Sequence, residues 1–212
     1  MSRDEVAILL AILPNRWRLF FRFLAATGLR ISEAIAVTWN DVTLDGSRPH
    51  VKVRRALVKG RLQPPKSRHG RRNVPLSHSL VLALREHRRE SEWHGPDDLV
   101  FAARNGSAIT PNNLRRRILK PAAEEACLEW VGFHAFRHTC ASILFAEGRN
   151  AVQVQRWLGH HSAAFTLATY VHILDGDIGD PLEVPTGVNR VVNQATSSDR
   201  NASVELAPEM AL

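Results

Sequence analysis

Residues 134–173 read HAFRHTCASILFAEGRNAVQVQRWLGHHSAAFTLATYVHI. Two glycines cut this stretch into three helical runs. His134 to Glu147 forms one, stopped by Gly148. Asn150 is placed to cap Ala151 to Leu158, which Gly159 stops. Ser162 is placed to cap a last run ending near Ile173. Short helices on tight joints predict a largely helical body.

Upstream, Ser2 and Glu5 make a capping box before the apolar stretch Val6 to Leu13, and Pro14-Asn15 breaks it. Trp17 to Ala26 reads as a buried helix with Gly28 at its C-terminal cap. Ser32 then caps a short helix through Val37. His50 to Val58 alternates roughly and reads as a strand. Lys59-Gly60 is a turn, and Arg72 to Leu76 is a second strand after a basic loop. Ser77 opens a helix to about Glu90. Thr110-Pro111 opens another to about Glu129, with a kink expected at Pro121. The expected class is mainly α with a small antiparallel β-sheet (α+β). Residues 1–174 form the expected domain. Residues 175–212 are polar and proline-bearing, and read as a flexible tail whose apolar end, Val204 to Leu212, is suited to docking on a partner.

The chain has 212 residues and only two cysteines, Cys127 and Cys140. That excludes a disulfide scaffold, and the spacing is not that of a zinc ribbon. No apolar run approaches the ~18 residues of a membrane span. The first ten residues, MSRDEVAILL, carry acids that a secretory signal lacks. A reducing, cytoplasmic compartment is expected.

The net charge is +7, unevenly spread. From Ile173 onward seven acids face two bases, so residues 1–172 hold 26 bases against 14 acids. Arg48 to Arg72 carries ten Lys or Arg and no acid. Such a surface attracts a phosphate backbone and releases its counterions. Arg54, Arg55, Lys59, Arg61, Arg68, Arg71 and Arg72, with Arg115 and Arg116, are the candidate DNA contacts.

Several residues have chemical potential. Arg30 springs from a tight corner, Thr27-Gly28-Leu29-Arg30-Ile31-Ser32-Glu33. Taken alone, it is an ordinary arginine paired with Glu33. His134 and Arg137, three apart, share a helical face and offer an acid/base beside a phosphate fork. His134 and His138 have metal spacing, but no third ligand stands out, so no metal is expected, and His138 reads as a core residue. His160 lies between a glycine cap and a new N-cap. Tyr170 is the only tyrosine. As a nucleophile it needs nearby positive charge, because a free phenol ionises near pH ~10. Lys66 sits in the basic loop. A cysteine phosphatase is excluded, since Phe133 and Ala146, not arginine, stand six residues after the cysteines.

In order, Arg30, Lys66, His134-x-x-Arg137, His160 and Tyr170 resemble the catalytic domain of the tyrosine recombinase (phage integrase) family. Pro65-Lys66 before Arg72-Asn73-Val74-Pro75-Leu76 looks like its β-hairpin lysine and following strand. Leu158-Gly159-His160 and Tyr170-Val171-His172 look like its third box and nucleophile segment.

The resemblance implies a strand transferase for double-stranded DNA. Tyr170 would attack a phosphodiester, leaving a 3′-phosphotyrosyl link and a 5′-hydroxyl. Arg30 and Arg137 would clamp the phosphate, so neither metal nor other cofactor is implied. Lys66 would protonate the leaving oxygen, His134 would act as base, His160 would bind the phosphate, and Glu33 would orient Arg30 or His134. It also implies a nucleoid-associated protein, a homo-tetramer at synapsis and a monomer as an isolated domain. The family's DNA-clamping domain, which usually precedes the arginine of Arg30, is missing from this sequence. A type IB topoisomerase-like enzyme and a non-catalytic helix-turn-helix binder using Ala141 to Leu158 are the alternatives.

Overall fold

The computed structural model describes residues 1–64 and 70–170. Lys66, Arg68 and the tail from residue 175 fall outside the described residues. Helix α1 (Arg3–Ile12) starts on the Ser2–Glu5 capping box. Helix α2 (Asn15–Thr27) ends at Gly28, whose φ of +62° is left-handed. A Cβ there would lie 2.5 Å from Leu158 Cδ2, so the corner needs glycine twice over.

A short helix, α3 (Ile31–Ala34), follows. It starts one residue before the expected Ser32 cap, because the Glu33 carboxylate accepts the Arg30 backbone N–H at 2.9 Å. The sheet is small. Strands β1 (Val42–Thr43), β2 (His50–Val53) and β5 (Arg72–Pro75) run antiparallel in the order β1-β2-β5, with Val51 opposite Val74. The expected strand from His50 to Val58 is two strands. Arg54 and Arg55 interrupt it, drawn to the buried Asp41 carboxylate. Beyond them β3 (Ala56–Val58) and β4 (Arg61–Gln63) form a hairpin. Its Lys59-Gly60 turn has φ of +50° and +74°, as a two-residue hairpin requires.

Helix α4 (His78–Glu90) carries Leu80, Val81 and Leu84 into the core. The expected kink at Pro121 takes the form of a wide turn just before it. Helix α5 (Pro111–Leu114) passes through a π-helical segment, Arg115–Leu119, into α6 (Lys120–Glu125). Pro121 has no N–H and its ring crowds the carbonyl four residues back, so the turn widens and Lys120 bonds Arg115.

Helices α7 (Phe133–Ala146), α8 (Ala151–Leu158) and α9 (Ala163–Tyr170) complete the body. The main core gathers Phe20, Phe21, Leu24, Leu84 and Phe136. A smaller cluster of Cys140, Ala141, Leu144, Phe145, Val154 and Leu158 surrounds Tyr170. No described helix is long and apolar enough to cross a membrane.

Candidate active site

The site begins at Glu33, a buried carboxylate on α3. Burial pushes its pKa up, but the Arg72 and Arg30 guanidiniums outweigh that and hold it below the usual 4.5. Arg30 Nη1 donates to it at 3.0 Å, and Arg72 Nη2 donates at 3.0 Å. No hydrogen bond joins Glu33 to His134 among the described residues. Arg72 also donates to the Trp157 carbonyl at 2.7 Å, tying β5 to α8. This is a correction to the candidate DNA contacts: the Arg72 side chain is 5% exposed and committed inside the protein. Strand parity carried the signal, since Arg72 shares a face with the buried Val74.

Arg137 projects from α7 into the same place. Its guanidinium donates to the Gly28 carbonyl and the Leu158 carbonyl, each at 2.7 Å. Two helix-ending corners therefore aim one side chain. Burial, and then the positive charge of Arg30 and Arg72, brings its pKa down to about 10, so it stays charged at neutral pH. Three guanidiniums against one carboxylate leave a surplus of positive charge, which suits an anion.

His160 follows Gly159, whose φ is +71°. Its Nδ1 lies 2.8 Å from Thr166 Oγ1, and that hydroxyl also lies 3.2 Å from the Ser162 carbonyl. Burial, then Arg137, Arg30 and Arg72, hold the imidazole neutral, with its pKa down to about 3. When Thr166 donates to Nδ1, the ring carries its proton on Nε2 and can donate from there.

Tyr170 ends α9 and is 2% exposed. Its ring lies parallel to that of His160, at 11° and 6.4 Å between centroids. Burial raises the phenol pKa, and Arg137 partly opposes that. The phenol sits 2.9 Å from Nδ1 of His138. This corrects the reading of His138 as a core residue: it is exposed and holds the tyrosine. Its spacing carried the signal, since His138, Ala141 and Phe145 share one face of α7, and the last two pack in the Tyr170 cluster.

The structure thus brings Arg30, Glu33, Arg137, His160 and Tyr170 together. His134 is exposed on α7 and makes no hydrogen bond among the described residues. Lys66 lies outside the described residues. Among the described residues no three His, Cys, Asp or Glu side chains gather as a metal site. Burial raises the Cys140 thiol to about 12, so it is no nucleophile.

Of the other candidate DNA contacts, Lys59, Arg61, Arg71, Arg115 and Arg116 are exposed. Arg54 and Arg55 are held by Asp41, at 2.5 Å and 2.7 Å. Arg55 also donates to Thr38 at 3.0 Å. These two serve the sheet edge first.

The sequence profile of the phage integrase family matches residues 1–176. The chain belongs to the phage integrase family. Among curated relatives it is similar to the tyrosine recombinase XerC of Xanthomonas axonopodis pv. citri, 33% identical over 82% of this chain and 53% of that protein. It is also similar to a XerC-like tyrosine recombinase of Caldanaerobacter subterraneus subsp. tengcongensis, 28% identical over 77% of this chain and 47% of the relative. The chain therefore spans about half the length of these integrase-family relatives. Its fold is that of XerA recombinase, with a TM-score of 0.65 and 24% identity over 82% of this chain and 59% of that one. It is equally that of the Tn1549 transposon integrase in complex with transposon right end DNA. There the TM-score is 0.69 and the identity 22%, over 80% and 60% of the two chains.

Proposed function

We propose that residues 1–174 are the catalytic unit of a site-specific DNA recombinase that cuts and rejoins double-stranded DNA through a phosphotyrosyl link. The observation that carries this reading is the buried phenol of Tyr170 beside the doubly anchored Arg137, in a pocket with surplus positive charge. Relatives named as tyrosine recombinases favour strand exchange over relaxation.

Each residue has a role that its surroundings support. A scissile phosphate sits on Arg30 and Arg137, whose charge neutralises the pentavalent transition state. Glu33 fixes Arg30 from behind, which sets the fork before DNA arrives. His160 donates from Nε2 to a phosphate oxygen, with Thr166 holding the other nitrogen. The Tyr170 oxygen attacks phosphorus, the bond to the 5′ oxygen breaks, and the bond energy is kept in the phosphotyrosyl ester. Lys66 is given the proton for that leaving oxygen by the family resemblance alone. Exposed Lys59, Arg61, Arg71, Arg115 and Arg116 supply phosphate contacts outside the site. Assembly of four protomers on two DNA sites, and action at the nucleoid, follow from the same reading.

The test is a nicked suicide substrate, whose cleaved end diffuses away and traps the covalent adduct. At low salt and in chelator, a protein–DNA adduct forms with the wild-type chain and disappears with Tyr170→Phe. An adduct that survives the substitution would sink the assignment.

A further inference from the structure

We propose that a cleft at the opposite edge of the sheet from Arg72 binds a small molecule carrying a chain of phosphates. The cleft lies between the β1–β2 edge and the C-terminal half of α4, and holds about 750 Å³. None of Arg30, Arg137, His160 or Tyr170 lines it. The strand order β1-β2-β5 separates the two places. Strand β5 carries Arg72 to Glu33, whereas β1 borders the cleft.

The cations come from two walls. On β2, Val51 and Val53 are buried in the core, so Lys52 leaves the sheet on the other face and lines the cleft. On α4, Arg85, Arg88 and Arg89 stand three and four residues apart, on one face. Asp45 is the single acid of the lining, and it is spent on Arg85 at 2.6 Å. Arg89 is held by Glu86 at 3.1 Å. Lys52 and Arg88 pair with no acid among the described residues.

Two of the guanidiniums are set in advance. Arg88 lies over the Trp39 ring, 5.2 Å from its centroid, and its Nε donates to the His94 carbonyl at 3.2 Å. Arg85 donates to the Leu44 carbonyl at 3.1 Å. A helix C-terminus draws cations to its own last turn, which accounts for Arg88 and Arg89 but not for Lys52 on another element. Cations converging from opposite walls suit an anion of several charges, and side chains already ordered lose little entropy in holding it. The volume sets the size. Clefts of ~300–1,000 Å³ enclose small ligands. A duplex presents its phosphates on a convex surface and meets cations from one side only.

The test is titration calorimetry of the full chain with metal-free sodium tripolyphosphate at low salt. Wild type should bind saturably, and Lys52→Gln with Arg88→Gln should weaken binding by ~10-fold or more. Arg3→Gln with Lys120→Gln removes the same charge outside the cleft and should leave the affinity unchanged. Lys52→Gln alone keeps the Arg88–Trp39 stack and should still weaken binding by ~3-fold or more. In the ¹⁵N-labelled chain, amide shifts on titration should centre on Thr43, Lys52 and Arg88, and a short duplex should not displace the tripolyphosphate from them. Several results would overturn the assignment: no binding, shifts centred on Arg30 and Arg137, wild-type affinity in the Lys52 and Arg88 variants, or displacement by duplex, which would make the cleft part of a DNA-binding face. Adduct formation does not enter these readouts, so the assignment stands or falls separately from strand transfer.

Discussion

A phenol 2% exposed, its pKa raised by burial, does not attack unaided. Its neighbours have to supply the charge, the proton acceptor and the phosphate geometry. Thr166 illustrates how small a part can matter. It is fully buried, and its one hydroxyl proton goes to either His160 or the Ser162 carbonyl. Thr166→Val removes that proton, so nothing holds the tautomer in which His160 presents Nε2–H to the phosphate. Adduct formation should fall toward the ~10²–10³-fold loss of one positioned donor, with folding unchanged by circular dichroism. A wild-type rate would show that His160 does not donate.

Glu33 makes a stability prediction. Its folded pKa lies below 4.5, so its contribution is complete above that value and is lost as pH falls through the folded pKa. Glu33→Gln should destabilise by about 3–5 kcal/mol at neutral pH, because two guanidiniums lose their shared counter-charge. Denaturant unfolding should show the gap from wild type closing as the solution is acidified. At this scale Arg30, Arg137, His160 and Tyr170 were legible as an ordered set of residue types. His138 and Arg72 were not, because each depends on which face of its element turns inward. Lys66 remains an expectation.

Among the elements, helix ends do most of the positioning. Gly28 and Leu158 are both terminal positions, and their free carbonyls receive Arg137. Gly28→Ala would strain a left-handed φ and drive a Cβ into Leu158. It should cost about 1–3 kcal/mol of stability, read from the denaturant midpoint, and lower activity further than that loss of folded protein explains, because the Arg137 acceptor shifts. Activity that tracks the folded fraction alone would contradict this role. The caps at Ser2, Gly28, Ser77, Asn150 and Gly159 were legible from the sequence, since capping is local chemistry. The break between β2 and β3 and the π-helical turn were not. The first depends on Asp41, distant in sequence, and the second on how the helix adjusts around Pro121.

For the molecule as a whole, charge separates two populations of arginine. Arg30, Arg72 and Arg137 crowd one carboxylate, whereas exposed Lys59 and Arg61 meet solvent on a hairpin. The second group predicts a strong salt dependence of DNA binding. Replacing Lys59 and Arg61 by Ala should reduce the log-log salt slope by about 1 for each phosphate left without its cation, uniformly across DNA sequences. An unchanged slope would place the phosphate-binding cations elsewhere.

The family itself was legible only in combination, because each motif alone has an ordinary explanation. The central claim is that Tyr170 becomes joined to DNA. Its most direct measurement is mass spectrometry of the digested adduct from a nicked substrate, with the released end assayed by kinase labelling. The account predicts a nucleotide-bearing peptide that contains Tyr170 and a released strand with a free 5′-hydroxyl. A nucleotide on any other residue, or a 5′-phosphate on the released strand, would contradict it.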